Sequence, residues 1–206
     1  MIHVLCADIS SADASTYAYL YAQASSERKQ RAQHYLRQED KLRCVVAEAL
    51  LKTALGTDRF QIEKNDCGKP YIQDRPDFYY NLSHSGRYVV IAWGKTEVGI
   101  DVQQHDATTN REAIAARFFA PDEQEYARQD LQRFYEIWTK KESFLKYNGK
   151  GLHMALRSFS VLDPALKRRF FHRHLPDGYS LSLCTEEDIY ELTRLDVQQL
   201  IKEACN

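Results

Sequence analysis

Apolar residues recur at helical spacing through Phe134, Ile137, Trp138 and Leu145, which predicts an amphipathic helix with one buried stripe, beginning near Leu131. Asn148-Gly149 should stop it, because both residues tolerate the left-handed conformation of a helix end. Upstream, residues 2–7 read as a short strand and Ser10 to about Gln23 as a helix. Ser25-Ser26-Glu27 then starts a long helical region that runs to about Leu55 and closes at Gly56. Its second half has a dense apolar face (Val45, Val46, Ala49, Leu50, Ala54) that belongs in a core. Phe60 to Glu63 reads as a short strand, followed by the turn Cys67-Gly68-Lys69-Pro70-Tyr71. Phe78 to His84 and Tyr88 to Trp93 form a hairpin about Ser85-Gly86-Arg87, and Glu97 to Gln104 is the next strand. Asn110 to Phe119 is a helix, and Ala120-Pro121 starts another, with Pro in the first turn. Ser158 to Leu162, Arg168 to His174, Tyr179 to Cys184 and residues 191–197 are strand-like, and a short helix ends the chain.

Each half of this pattern has one conspicuous helical region and several short strands, with the halves meeting near Gly99. The expected fold is α+β: two similar, intimately packed halves, each a small sheet with helices, with the active site at their junction. The expected division is 1–98 and 99–206. The 206 residues suffice for a core without staples. With 28 basic and 29 acidic residues the chain is close to neutral, which argues against general binding to nucleic acid or a membrane surface. No apolar run reaches membrane length. The amino terminus lacks a basic start and a long apolar run, and the five cysteines (Cys6, Cys44, Cys67, Cys184, Cys205) are scattered and unpaired in pattern. A cytoplasmic location with reduced thiols is therefore expected.

Charge is instead concentrated locally. Between Arg28 and Arg43 six basic residues face two acidic ones, a surface suited to a polyanion. Gly68-Lys69-Pro70 holds a lysine on a constrained backbone, and His84 stands between two serines at a strand end. Asp101 interrupts an apolar strand, which is costly unless the charge is paired or binds a metal. Strand alternation puts Asp101 and Gln103 on one face and Ile100 and Val102 on the other, while Gly99 allows close approach of a backbone or ligand. On the helix, Glu142 and Lys146 are four apart and expected side by side, ahead of a bare Gly149-Lys150-Gly151 loop. Asp101 and Glu142 together could hold a hard cation through oxygen, while Lys69, Lys146, Lys150, Arg28 and Arg31, with His84, would meet a multiply phosphorylated ligand. That combination suits phosphoryl-group transfer, where positioning and charge neutralisation dominate. Lys167-Arg168-Arg169 reads as the charged edge of a sheet.

Gly99-Ile100-Asp101, followed by Trp138-Thr139-Lys140-Lys141-Glu142-Ser143-Phe144-Leu145-Lys146, resembles the signature pair of the 4′-phosphopantetheinyl transferase superfamily. Gly68-Lys69-Pro70 and Asn81-Leu82-Ser83-His84-Ser85 resemble further motifs of its longer, surfactin-synthetase-activating type, and the likeness runs from about Ser26 to Phe159. The resemblance implies a pseudo-dimeric, monomeric enzyme. It would move the 4′-phosphopantetheine arm of coenzyme A onto a serine of an apo acyl or peptidyl carrier protein, releasing adenosine 3′,5′-bisphosphate. It further implies that Asp101 and Glu142 bind Mg2+. Lys146 would contact the pyrophosphate and stabilise the departing bisphosphate, and Glu142, or a metal-bound water that it orients, would take the serine proton. His84, Lys69, Arg28 and Arg31 would reach the coenzyme's phosphates, with Pro70 and Ser83 of the same motifs on the coenzyme side. Gln103 departs from the acid often found two residues beyond the aspartate, so it would ligate the metal as an amide or through water. Two other readings use the same residues: a non-catalytic coenzyme A or nucleotide binder, and a structural protein whose charged helix docks a partner. Retention of both Asp101 and Glu142 favours the enzyme, since a binder has no need of the second carboxylate.

Overall fold

A computed structural model describes residues 1–149, 154–166 and 168–204, with side chains to Lys202. Lys150, Gly151 and Leu152 of the expected phosphate loop, and Lys167 of the expected basic edge, lie outside the described residues.

The first sheet is built from β1 (Ile2–Asp8), β4 (Tyr79–Ser85), β5 (Tyr88–Gly94) and β9 (Tyr190–Asp196), in the order β4-β5-β1-β9. Only the β1–β9 pair is parallel, so the chain's last strand returns to lie beside its first. The second sheet has the order β6-β8-β7, all antiparallel, from β6 (Val98–Gln104), β7 (Arg169–Leu175) and β8 (Tyr179–Thr185). β2 (Ile62–Lys64) and β3 (Pro70–Ile72) form a separate hairpin. Alternation assigns every strand face to a layer. Leu5, Ala7, Val89 and Ile91 meet the long helix α3 (Gln38–Leu55) in one core. Ile2, Val4, Val90 and Ala92 on the opposite face pack against Ile100, Val102, Leu181 and Leu183 of the second sheet. The long helix α6 (Leu131–Asn148) covers the far face of that sheet. The order is helix, sheet, sheet, helix.

The likeness of the halves extends to detail. A short helix of 8 residues precedes each long helix of 18, namely α2 (Ser26–Gln33) before α3 and α5 (Pro121–Arg128) before α6. Gly56 and Gly149 end the long helices with φ of +66° and +62°. The third residue of each short helix pairs with the eleventh of the long one, with charges exchanged: Arg28 with Glu48 at 3.2 Å, and Glu123 with Lys141 at 2.7 Å. The remaining helices are α1 (Ala14–Gln23), α4 (Arg111–Phe118) and α7 (Val197–Ala204). No helix of the described residues is long and apolar enough to cross a membrane.

Three expectations change. The region from Ser25 to Leu55 is not one helix but α2 and α3, broken at residues 34–37. The break turns α2 back so that Arg28 reaches Glu48, which also accepts from Ser25 N–H at 2.7 Å. Residues 158–162 are not a strand but the end of a 3-10 helix (Leu156–Ser158), a bend and a turn. Their backbone groups are taken by side chains instead of a ladder: Lys141 Nζ donates to Leu156 and Phe159 carbonyls at 2.7 Å each, and Glu123 accepts from Val161 N–H at 2.7 Å. The helix expected from Ser10 begins at Ala14, because Asp13 caps it through Thr16 N–H at 2.8 Å.

Candidate active site

The site lies where β4, β6 and α6 meet. Gly99 makes that meeting possible: a Cβ there would stand 2.0 Å from the Ser143 carbonyl and 2.3 Å from Tyr147 N, so the helix backbone rests directly on the strand. Two residues on, Asp101 turns the same way and is buried, at 2 % exposed. Lys146 comes down from α6 to meet it, Nζ to Oδ1 at 2.7 Å, and also donates to Ser83 Oγ and the Ile100 carbonyl, both at 3.0 Å. The expected Glu142–Lys146 pair along the helix therefore does not form as a contact. The ammonium goes to the buried carboxylate across the seam, where fewer waters compete for it.

β4 and β6 belong to different sheets, yet their edges are joined. Alternate side chains of β4 reach the backbone of β6: Asn81 Oδ1 accepts from Ile100 N–H at 2.9 Å, Ser83 Oγ from Val102 N–H at 3.3 Å, and Ser85 Oγ from Gln104 N–H at 2.9 Å. Ser83 also donates to Asp101 Oδ1 at 2.9 Å. Asp101 Oδ2, by contrast, is buried without a hydrogen-bond partner. An ionised oxygen in that position is costly unless a cation serves it.

Glu142 is half-buried on α6, and burial, then the Asp101 charge, pushes its carboxyl above the usual carboxylate range. It lines a cleft of about 260 Å³ with Lys69, Pro70, Asn81, Leu145 and Lys146. Gln103 is half-buried on the Asp101 face, its Oε1 accepting from Ser85 Oγ at 3.5 Å. Asp101, Glu142 and Gln103 are an oxygen-only donor set, which suits a hard divalent cation better than a soft one. Among the described residues no group of three or more His, Cys, Asp or Glu is placed to hold a metal.

The basic residues divide. Arg31 is exposed. His84 is exposed on the opposite face of β4 from Ser83. The protein packed beneath its ring, then the Arg43 and Lys146 charges, holds its pKa below the ordinary value. Lys69 and Arg28 are engaged elsewhere. Lys69 Nζ pairs with Glu97 and donates to the Tyr147 carbonyl at 3.1 Å, tying the β2–β3 hairpin to the carboxyl end of α6. Arg28 is largely buried against Glu48. Sequence reasoning overlooked Asn81 and Ser85 as the join between sheets, Glu48 and Glu97 as counter-charges, and the burial of Lys141. Alternation of polar residues at 81, 83 and 85 was a readable signal for the first; the others depend on contacts far apart in the chain.

Comparison with known proteins agrees with this architecture. A family model described as the 4′-phosphopantetheinyl transferase superfamily matches residues 97–196, and one described as 4′-phosphopantetheinyl transferase, N-terminal, matches residues 11–96. A 4′-phosphopantetheinyl transferase of Bacillus subtilis is 37% identical over 199 residues, covering 91% of this chain and 87% of the relative. The 4′-phosphopantetheinyl transferase Sfp of Bacillus subtilis strain 168 is 34% identical over 203 residues (86% and 89%). The transferase gsp of Aneurinibacillus migulanus is 28% identical over 217 residues (94% and 89%). With both halves matched in order and a relative above one third identity along nearly the whole length, the chain belongs to the 4′-phosphopantetheinyl transferase superfamily, in its Sfp-like type.

Proposed function

We propose that the protein transfers 4′-phosphopantetheine from coenzyme A to the hydroxyl of a serine on an apo acyl or peptidyl carrier protein, with Mg2+ as cofactor. The serine oxygen bonds to the phosphorus that carries the pantetheine arm, the bond from that phosphorus to the bridging oxygen breaks, and adenosine 3′,5′-bisphosphate leaves. One observation carries this reading: the buried, unpartnered Oδ2 of Asp101, whose charge acts on a second carboxyl, Glu142, which lines a cleft together with the Lys146 ammonium. Two carboxylates driven together repel, and a divalent cation is what offsets them.

Asp101 and Glu142 would hold that ion, with Gln103 directly or through water. When bound, magnesium supplies neutralisation of charge on the pyrophosphate oxygens. The residues of the chain do the rest. Glu142, or a water that it orients, would accept the serine proton. Lys146, held toward the seam by Ser83 and Asp101, balances charge on the departing bisphosphate. Arg31 and His84 stand exposed for the outer phosphate of the coenzyme. Lys69 and Arg28 reach it only by leaving Glu97 and Glu48. Both carboxylates come from one chain, so a monomer suffices, and the reaction suits a cytoplasmic setting where coenzyme A and carriers meet.

The test is intact-mass analysis of several apo carriers incubated with the protein, coenzyme A and Mg2+. The expected product gains one phosphopantetheine per carrier. Glu142→Gln should abolish the gain with little change in melting temperature; wild-type rates in that variant would reject the role of Glu142. A wild-type protein that coenzyme A stabilises against heat, yet that leaves every carrier unmodified, would be a binder and not an enzyme.

A further inference from the structure

The resemblance puts Ser83 on the coenzyme side, but the hydrogen-bonding capacity of its hydroxyl points elsewhere. A serine hydroxyl has one proton to donate and two lone pairs to accept with. Ser83 Oγ lies 2.9 Å from Asp101 Oδ1, 3.0 Å from Lys146 Nζ and 3.3 Å from Val102 N. The last two are donors only, so the hydroxyl proton must point at Asp101, and every position on the oxygen is filled. A phosphate oxygen needs a donor, and Ser83 has none left. The side chain is also buried on the face of β4 opposite His84, the neighbour that looks out to the exposed basic surface.

We infer that Ser83 is a positioning residue for the metal carboxylate and not a ligand of the coenzyme. It acts together with Lys146. The two donors on Oδ1 fix the rotation of the Asp101 carboxyl group and leave Oδ2 as the single naked oxygen. A monodentate ligand is thereby aimed before any cation arrives. Preorganisation of this kind affects metal affinity, because ligands held by their outer hydrogen bonds need not be reoriented on binding. Asn81 and Ser85 make rungs of the same kind to β6 but do not touch Asp101.

The inference rests on the proposed Mg2+-dependent transfer, and the test separates the two. Mn2+ binding is followed by the electron paramagnetic resonance of the free ion, with and without coenzyme A, and Mg2+ and coenzyme A titrations of the rate are run alongside. Ser83→Ala should weaken Mn2+ binding and raise the half-saturating Mg2+ concentration by about tenfold, the loss typical of an outer-shell partner, with the KM for coenzyme A unchanged at saturating Mg2+. Ser83→Thr, which keeps the hydroxyl, should restore most of the metal affinity. A Ser83→Ala protein with wild-type Mn2+ affinity, or with a raised KM for coenzyme A at saturating metal, would overturn the inference. A wild-type protein that binds no Mn2+ and needs no Mg2+ would instead overturn the functional reading beneath it.

Discussion

Lys141 stands beside Glu142 in the sequence motif, and loss of activity on its substitution would ordinarily be read as a catalytic effect. The structure predicts otherwise. Lys141 and its partner Glu123 are both 0 % exposed. The ammonium also serves the Leu156 and Phe159 carbonyls and lies 4.1 Å from the Phe159 ring. In Lys141→Met the shape is nearly kept, but Glu123 loses its counter-charge and two buried carbonyls lose their donor. Glu123 retains Ala120 N–H and Val161 N–H, each at 2.7 Å, which limits the damage. Breaking a buried pair in this way costs about 3–5 kcal/mol, with each orphaned carbonyl contributing ~1 kcal/mol or more of that total. At ~2–4 °C per kcal/mol for a chain of this size, the melting temperature should fall by roughly 10 °C. Glu123→Gln should cost less, because burial already depresses the Lys141 pKa and an unpaired amine can shed its proton. The assay is urea unfolding followed by tryptophan fluorescence, with transfer rates measured well below the melting temperature of each variant. Folded Lys141→Met should then work at a rate close to wild type. A cost under ~1 kcal/mol would refute the energetic reasoning. A folded but inactive Lys141→Met beside an active Glu123→Gln would show that the lysine meets substrate.

Two further outcomes follow from the packing. Gly99→Ala forces a methyl into α6 backbone at 2.0 Å and 2.3 Å; overpacking against groups that cannot rotate away should cost ~3 kcal/mol and remove turnover by displacing Glu142 and Lys146, and an unchanged melting temperature would contradict it. His172 hydrogen-bonds Ser182 Oγ at 2.9 Å through Nδ1, and burial drives its pKa down to about 4. Its folded value lies below its unfolded one, so the unfolded chain takes the proton first. The stability it confers is complete above about pH 6.5 and is lost as the pH falls toward 4. The loss should be on the order of 2 kcal/mol, read as a fall in urea midpoint between pH 7.5 and 5 that is smaller in His172→Asn; an equal fall in both proteins would exclude the residue as the source.

Much of this was legible from the chain alone, where the signal is local. The bounds of α6 follow from an apolar stripe and an Asn-Gly stop, and they agree with Leu131–Asn148. The shared face of Asp101 and Gln103 follows from strand alternation, and the close approach at Gly99 from its missing side chain. Where local signals conflicted, the reading failed: the helical propensity through residues 34–37 continued across a break at which α2 folds back to pair Arg28 with Glu48, and the apolar run at 158–162 looked like a strand because the side chains that take its backbone groups lie some fifteen to forty residues away.

What the sequence determined by itself was most of the elements, the chemistry available and the shared face of Asp101 and Gln103, since these depend on periodicity and residue type. The tertiary structure decided which charges meet. Lys146 chose Asp101 over Glu142, Lys69 took Glu97, and Ser83 closed on the aspartate. An ion pair forms where burial removes competing water and geometry brings two groups within reach, and neither condition can be read from separation along the chain.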